Sequence, residues 1–356
     1  MKSKIILLLL SLFGATAAFA QGNVVLRGNV IGDNKGNNKV IIYFNKGLPE
    51  DSTFVGPDGR FKYSYAYSPG ITATLYMEYD IKVRQRVFPF VVITDGPGEL
   101  LLKDANIVEG LHSGKISGEK AAVDFLTLHK QYTQQKKQDL QSDSMMTVVM
   151  TRLVSQFVAQ HPDSYAAVAA MRSYSVHLEK REISSIFECL STRQKQTEEG
   201  KAMATLIGGM KRSAIGNKVE DFSLPNPDGK EISFSSLRGK YVLIDFWASW
   251  CGPCKASFPH LKTQYAKYKG DRLEILGISL DQNKQAWLDE LPKQALPWVQ
   301  VLDNQNLARK IFAIVGVPTT YLISPDGEIL MKEIGFQPNG ELQKRLESIF
   351  TRTDRQ

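Results

Sequence analysis

Asp245-Phe246-Trp247-Ala248-Ser249-Trp250-Cys251-Gly252-Pro253-Cys254-Lys255 is the stretch on which the fold turns. The run into it, Tyr241 to Ala248, is nearly continuous apolar sequence, rich in β-branched and aromatic side chains. That composition predicts a strand buried on both faces, as in a parallel sheet. Cys251 and Cys254, with two residues between them, can share the first turn of a helix, where a disulfide forms or opens with little backbone movement. Strand, short turn, Cys-x-x-Cys and helix is the context that a redox dithiol needs.

Downstream, the alternation of strand and helix continues. Strands are predicted at 241–248, 273–280, 298–301, 319–324 and 328–334, and helices at 252–269, 284–294, 304–313 and 340–350. Phe222-Ser223-Leu224 and a turn at Pro227-Asp228-Gly229 precede them. This order predicts an α/β domain over 215–356 with a mixed sheet flanked by helices. Upstream, over 116–214, the period is helical. Met146, Val149, Met150, Leu153 and Phe157 form one apolar face, Ile183, Ile186, Phe187 and Leu190 another, and His161-Pro162-Asp163-Ser164 reads as a break with a cap. Further upstream, over 21–115, the pattern is all-β. Val24 to Val30, Lys39 to Phe44, Phe61 to Tyr65 and Val87 to Thr94 read as strands, with Pro57-Asp58-Gly59 as a turn. A small antiparallel sandwich or barrel is expected there, without clustered His or Cys and without a phosphate loop.

The N-terminus reads as a leader. Met1-Lys2-Ser3-Lys4 is positive, Ile5 to Phe13 is apolar, and Ala18-Phe19-Ala20 is a small-residue cleavage site. This is the layout of a secretory signal peptide cut after Ala20. The apolar run is shorter than the roughly 20 residues of a membrane span. The expected location is therefore the periplasm or cell envelope. No cysteine follows the cleavage site, so a lipid anchor is not indicated.

Composition narrows the chemistry further. A chain of 356 residues calls for two or three domains, and 43% hydrophobic residues suffice for packed cores. The net charge of +7 is scattered among acids, with no basic stripe interleaved with aromatics, which argues against nucleic-acid binding. The three cysteines are Cys189, Cys251 and Cys254, too few for an exported disulfide framework. A zinc site would need a second pair of ligands, and no His-x₃₋₅-His follows. No metal and no cofactor is expected. Cys189 lies about 110° from the centre of its apolar stripe at 100° per residue, which predicts a half-buried thiol. An intermolecular disulfide, or a regulatory partner for Cys251, is the alternative for this odd cysteine.

From about 215 to 350 the chain resembles the thioredoxin superfamily, in particular its exported TlpA/ResA-like branch (a redoxin, or AhpC/TSA-like, domain). Trp250-Cys251-Gly252-Pro253-Cys254 matches the active-site motif, and Pro259 sits where the family kinks its active-site helix. Asp245 matches the family's buried carboxylate, and Val317-Pro318-Thr319 its cis-proline loop. The insertion from about 281 to 300, with Trp287 and Trp298, looks like the one that marks the exported branch. The whole chain resembles a layout common in Bacteroidota: a small β-domain of unknown function, a helical connector and a thioredoxin-like domain. One position departs from the pattern. Some cytochrome-maturation members carry a functional glutamate where this chain has Ser257, so their dedicated substrate is not implied.

The resemblance implies an exported thiol-disulfide oxidoreductase that reduces protein disulfides. Cys251 would be the exposed nucleophile, favoured as a thiolate at a helix N-terminus, and Cys254, one turn on and less exposed, the resolving thiol. Asp245 would take or relay the Cys254 proton. Trp250, Gly252, Pro253, Val317 and Pro318 would support the site and receive a substrate strand. Trp247 either walls the site or belongs to the core. Lys255 and His260 read as solvated helix residues. The Gly-Pro dipeptide is the thioredoxin one and implies a reductant fed by a membrane electron donor. A disulfide oxidase or isomerase, a thiol peroxidase, and a cell-envelope binding protein carrying a redox domain stay open as alternatives. The helical segment is a candidate homodimer face.

Overall fold

The computed structural model describes residues 22–353, except 46–47, 86–88, 138–142, 180, 271 and 339. The leader read at 1–20, with its cleavage point after Ala20, lies outside the described residues. The chain divides into two compact units, one of Met1–Leu140 with Ser164–Ala167, the other of Gln141–Asp163 with Val168–Gln356. Among the described residues no helix is long and apolar enough to cross a membrane.

The first unit carries strands β1 (Asn23–Ile31), β2 (Lys39–Phe44), β3 (Asp51–Phe54), β4 (Arg60–Ala66), β5 (Thr72–Met77), β6 (Phe90–Ile93), β7 (Gly98–Asn106) and β8 (Lys115–Gly118), with helices α1 (Glu78–Lys82) and α2 (Lys120–Lys137). They form two four-stranded sheets, β4-β1-β7-β8 and β3-β2-β5-β6. Strand alternation sends Val24, Leu26 and Val30 of β1 and Val40 and Ile42 of β2 into one shared core, which makes the pair of sheets a sandwich. All strand pairs are antiparallel except β1 with β7, which is parallel. The expected turn at Pro57-Asp58-Gly59 is present, with Gly59 at φ 77°, in the left-handed region that glycine adopts without strain. β8 pairs with β7 up to Gly118, and α2 adds Ala122 and Leu126 to the sandwich core. The helices read as one connector over 116–214 are thus shared between the two units.

Five more helices follow: α3 (Asp143–Gln160), α4 (Tyr165–Ser173), α5 (Ile183–Glu188), α6 (Thr192–Lys195) and α7 (Glu198–Arg212). The predicted stripe on α3 buries Met146, Met150 and Phe157, while Val154 and Val158 complete the buried face and Val149 and Leu153 sit on its shoulders. Cys189 follows α5 and is exposed rather than half-buried. At its angle it lies beyond the arc that Ile183, Ile186 and Phe187 bury, and its thiol points back to the Ser185 carbonyl at 3.4 Å.

The rest of the second unit is a thioredoxin fold. It contains β9 (Ser223–Pro225), β10 (Glu231–Ser233), β11 (Tyr241–Trp247), α8 (Gly252–Tyr268), β12 (Leu273–Ser279), α9 (Lys284–Gln294), β13 (Val299–Leu302), α10 (Leu307–Lys310), β14 (Thr319–Ile323), β15 (Ile329–Ile334) and α11 (Glu341–Thr353). The sheet order is β13-β12-β11-β14-β15. β11 runs parallel to β12 and antiparallel to β14, so the sheet is mixed. Alternation along β11 splits its side chains between two layers. Leu243 and Trp247 join Phe258, Leu261, Leu346 and Phe350 on the α8 and α11 side, while Val242, Ile244 and Phe246 join Phe222, Phe234, Phe312 and Tyr321 on the other. α7 lies against α10 through Gly209, where a Cβ would come within 2.4 Å of the Arg309 carbonyl oxygen. The helix expected over 304–313 shrinks to Leu307–Lys310. Asn306 at φ 58° and Ala313 at φ 50° bracket it, and the Phe312 carbonyl accepts the Tyr321 hydroxyl at 2.6 Å.

Candidate active site

β11 ends at Trp247, and four residues later Cys251 occupies the N-cap of α8. Its Sγ accepts the Cys254 N–H at 3.1 Å, which meets one of the donors a helix start leaves unpaired. Pro253 sits in the first turn, where its missing N–H costs nothing. Cys251 and Cys254 are joined by a disulfide, with Cα atoms 5.3 Å apart. Open space lies over Gly252, since an added Cβ there would meet nothing within 4 Å. Among the described residues, no group of three or more His, Cys, Asp or Glu side chains is placed to hold a metal ion.

The expected exposure of Cys251 needs correcting. Cys251 is 4% exposed and Cys254 0%, both packed with Trp247, Ala248 and Phe258. The order of access is as expected, but in the disulfide the outer sulfur is turned inward toward its partner. Trp250, 70% exposed, is the side chain that projects from the site. Trp247 belongs to the core, fully buried, with its indole N–H donating to Gln300 Oε1 at 3.0 Å.

Asp245 lies on β11 between Leu243 and Trp247, on the face that packs under α8. It is 1% exposed, and among the described residues neither carboxylate oxygen has a hydrogen-bond partner. Desolvation penalises the charged form and raises its pKa to about 7. The Val317–Pro318 peptide is cis. Val317 packs on the cluster that contains both cysteines, and the Pro318 carbonyl accepts the Gly335 N–H at 2.8 Å. Among the described residues no hydrogen bond uses the backbone N–H or C=O of Val317, which leaves that short edge free. Ser257 is buried and donates to the Cys254 carbonyl at 2.7 Å, a bond confined to its own helix.

Sequence reading missed the residues that clamp the turn before Cys251. Asp281, 5% exposed, accepts the Ser249 N–H at 2.8 Å, the Ser249 hydroxyl at 2.7 Å and the Ser279 hydroxyl at 2.7 Å. Lys255 is not simply solvated: its Nζ donates to the Ser249 carbonyl at 2.9 Å and lies 3.5 Å from Glu290. His260 is half-buried against Phe336, with ring centres 5.7 Å apart. The one available signal was position, because Asp281 opens the insertion that follows the second buried strand. A large concavity of about 980 Å³ lies on the first unit, lined by residues such as Arg27, Phe54, Lys62 and Lys103, and it contains no cysteine.

Residues 215–332 match the AhpC/TSA family. The chain is 30% identical over 125 residues to the thiol-disulfide oxidoreductase ResA of Bacillus subtilis, covering 35% of this chain and 70% of that one. It is 31% identical over 136 residues to ResA of Geobacillus kaustophilus, covering 38% and 78%. A solved thiol-disulfide oxidoreductase from Bacteroides fragilis is 37% identical, covering 37% of this chain and 99% of that one, with a TM-score of 0.34. At that score the structural likeness adds nothing to the fold, which rests on the strand order given above.

Proposed function

Because the chain belongs to the ResA-like thiol-disulfide oxidoreductases of the thioredoxin superfamily, we propose that it reduces disulfides in exported proteins through Cys251 and Cys254. The observation that carries this reading is Cys251 at the N-cap of α8, bonded to Cys254 beside a buried carboxylate. In the reduced protein the N–H groups of the first turn and the helix dipole favour a Cys251 thiolate. That thiolate attacks a substrate sulfur, the substrate S–S bond breaks, and the other substrate sulfur leaves as a thiolate that takes a proton from water, while a mixed disulfide forms. Cys254 then gives its proton to Asp245 and attacks the Cys251 sulfur, which releases the second substrate thiol and closes the protein disulfide. Asp245, with a pKa near the working pH, suits that role. Trp250 and the open face over Gly252 and Pro253 contact the partner, and the free edge at Val317 with Pro318 receives its backbone as an added strand.

On this reading a membrane-bound dithiol donor returns two electrons to the Cys251–Cys254 disulfide. With residues 1–20 read as a leader, the protein works in the periplasm or cell envelope, and the helical region is a candidate homodimer face. The working division is a β-domain over 21–115, a helical region over 116–214 and the redox domain over 215–356. The reduction potential of the pair tests the direction, by equilibrating the chain with thiol buffers and following tryptophan emission. About −250 mV or lower is expected for a reductant, whereas about −150 mV or higher marks an oxidase or isomerase and overturns the direction.

A further inference from the structure

β11, β14 and β15 are neighbours in the sheet, and their register sets three polar residues in one row. Asp245 is paired with Thr320, and Thr320 with Glu333. Directly opposed residues of antiparallel strands hold their Cβ atoms about 4.5–5.5 Å apart on one face. That face is the one under α8, since Leu243, Leu322 and Met331 share it and pack into the cluster with both cysteines. Two members of the row are buried, Asp245 at 1% and Thr320 at 7% exposure. Glu333, at the sheet edge, is half-buried. Thr320 and Glu333 also line a cavity of about 20 Å³, together with Ser257, His260 and Pro318. That space accommodates about one water, with hydroxyl and carboxylate oxygens around it to bind one.

We propose that Thr320 and Glu333 form a proton route between Asp245 and solvent, through a water in this cavity, and so limit how fast Cys254 closes on Cys251. The inference rests on the dithiol reading above. As the Cys254 sulfur attacks, its proton passes to Asp245, the Cys251–substrate bond breaks, and the substrate sulfur departs with the electron pair. Asp245 is then neutral and sealed from bulk water. The proton moves through the Thr320 hydroxyl and the water to the Glu333 carboxylate, and from there to solvent. Thr320 and Glu333 act through Asp245 and touch no reacting sulfur, so their role is one of positioning and transfer. Burial pushes the Glu333 pKa up, the N–H groups of Leu342 and Glu341 at the start of α11 pull it down, the Glu341 charge pushes it up, and His260 on α8 pulls it down. The polar and charged groups facing the row are Ser257 and His260 from α8 and Glu341 from α11.

The same N–H contacts give Glu333 a second possible role, that of holding the start of α11. Glu333→Gln separates the two, because the amide oxygen still accepts an N–H but the group no longer titrates. Thr320→Val removes the hydroxyl at nearly constant volume, and Thr320→Ser returns it. Reduced full-length protein is mixed with a dithionitrobenzoate disulfide in a stopped-flow instrument from pH 5 to 9. The first phase is attack by Cys251, and the second is closure by Cys254. Glu333→Gln and Thr320→Val are each expected to slow the second phase about tenfold, below the roughly 10²–10⁴-fold that a direct general base contributes. The first phase stays unchanged, the double variant is no slower than either single one, and Thr320→Ser recovers most of the rate. Second-phase profiles that superimpose on the parent's overturn the route and leave the dithiol reading standing. Two phases that slow together, with a lowered melting temperature, likewise overturn the route and spare the dithiol reading. A parent chain that shows no second phase at any pH overturns the dithiol reading and the route with it.

Discussion

Two aspartates, Asp80 in the β-sandwich and Asp245 in the redox domain, are almost completely buried, at 0% and 1% exposure, and their surroundings treat them in opposite ways. Asp80 accepts the Met77 N–H at 3.2 Å and lies 2.9 Å from Arg84 Nη1. Charge attraction joins the two. Arg84 donates in turn to the Ile107 carbonyl at 2.6 Å, which anchors it. Burial still raises the Asp80 pKa, but Arg84 and the Met77 N–H oppose the rise. Asp245 has no such partners, and desolvation acts on it alone. A buried carboxylate that serves structure is paired, because an unpaired one costs stability. One left unpaired suits the proton exchange proposed above, because its pKa lies near neutrality.

The largest effect expected from this contrast is on turnover. Cys251→Ser should reduce the chain's disulfide-reducing activity, read as insulin precipitation, to background, while Cys189→Ser leaves it intact. Activity that survives Cys251→Ser would overturn its role as the nucleophile. Next comes Asp80→Ala, which removes the carboxylate that faces Arg84 inside the sandwich and should cost about 3–5 kcal/mol in urea unfolding. A loss below about 1 kcal/mol would mean that the pair is structurally idle and the comparison with Asp245 empty.

Asp245→Asn should act in the opposite sense. The folded pKa of about 7 lies above that of an unfolded aspartate, so between about pH 4 and 7 the native state binds more protons than the unfolded one. Stability therefore falls as pH rises through that window, and the full penalty is present above it. The asparagine variant should match the parent near pH 4 and exceed it at pH 8 by up to about 4 kcal/mol, measured on the oxidised protein. Equal stability of the two at pH 8 would show that Asp245 is solvated after all. The smallest effect is on the clamp. Asp281→Ala leaves the Ser249 N–H and two hydroxyls without their acceptor. It should cost about 1–3 kcal/mol and abolish hydrogen-exchange protection at the Ser249 amide. Unchanged protection there would assign the stiffness of the turn to Lys255 instead.

Local patterns were legible wherever one period dominated. The buried strand at 241–247 and the helix at 284–294 follow from continuous apolar sequence and from helical spacing. The sandwich strands β1, β2 and β4 follow from alternation. β3 and β5 escaped notice because Asp51–Phe54 and Thr72–Met77 carry Asp, Ser, Thr and Ala at positions where packing, not composition, decides the strand. The helix expected over 304–313 is cut to α10 because two left-handed residues and a tyrosine hydroxyl from β14 override helical spacing.

By itself the sequence determined the α/β order, the Cys-x-x-Cys pair and its place at a helix start, since each depends on neighbours within a few residues. Only the tertiary structure decided what lies across from them. It turned Cys251 inward, placed Asp281 over the Ser249 turn, and left Cys189 in solvent. It also brought Thr320 and Glu333 into line with Asp245, because register between strands more than seventy residues apart comes from packing of the whole sheet and has no local signature.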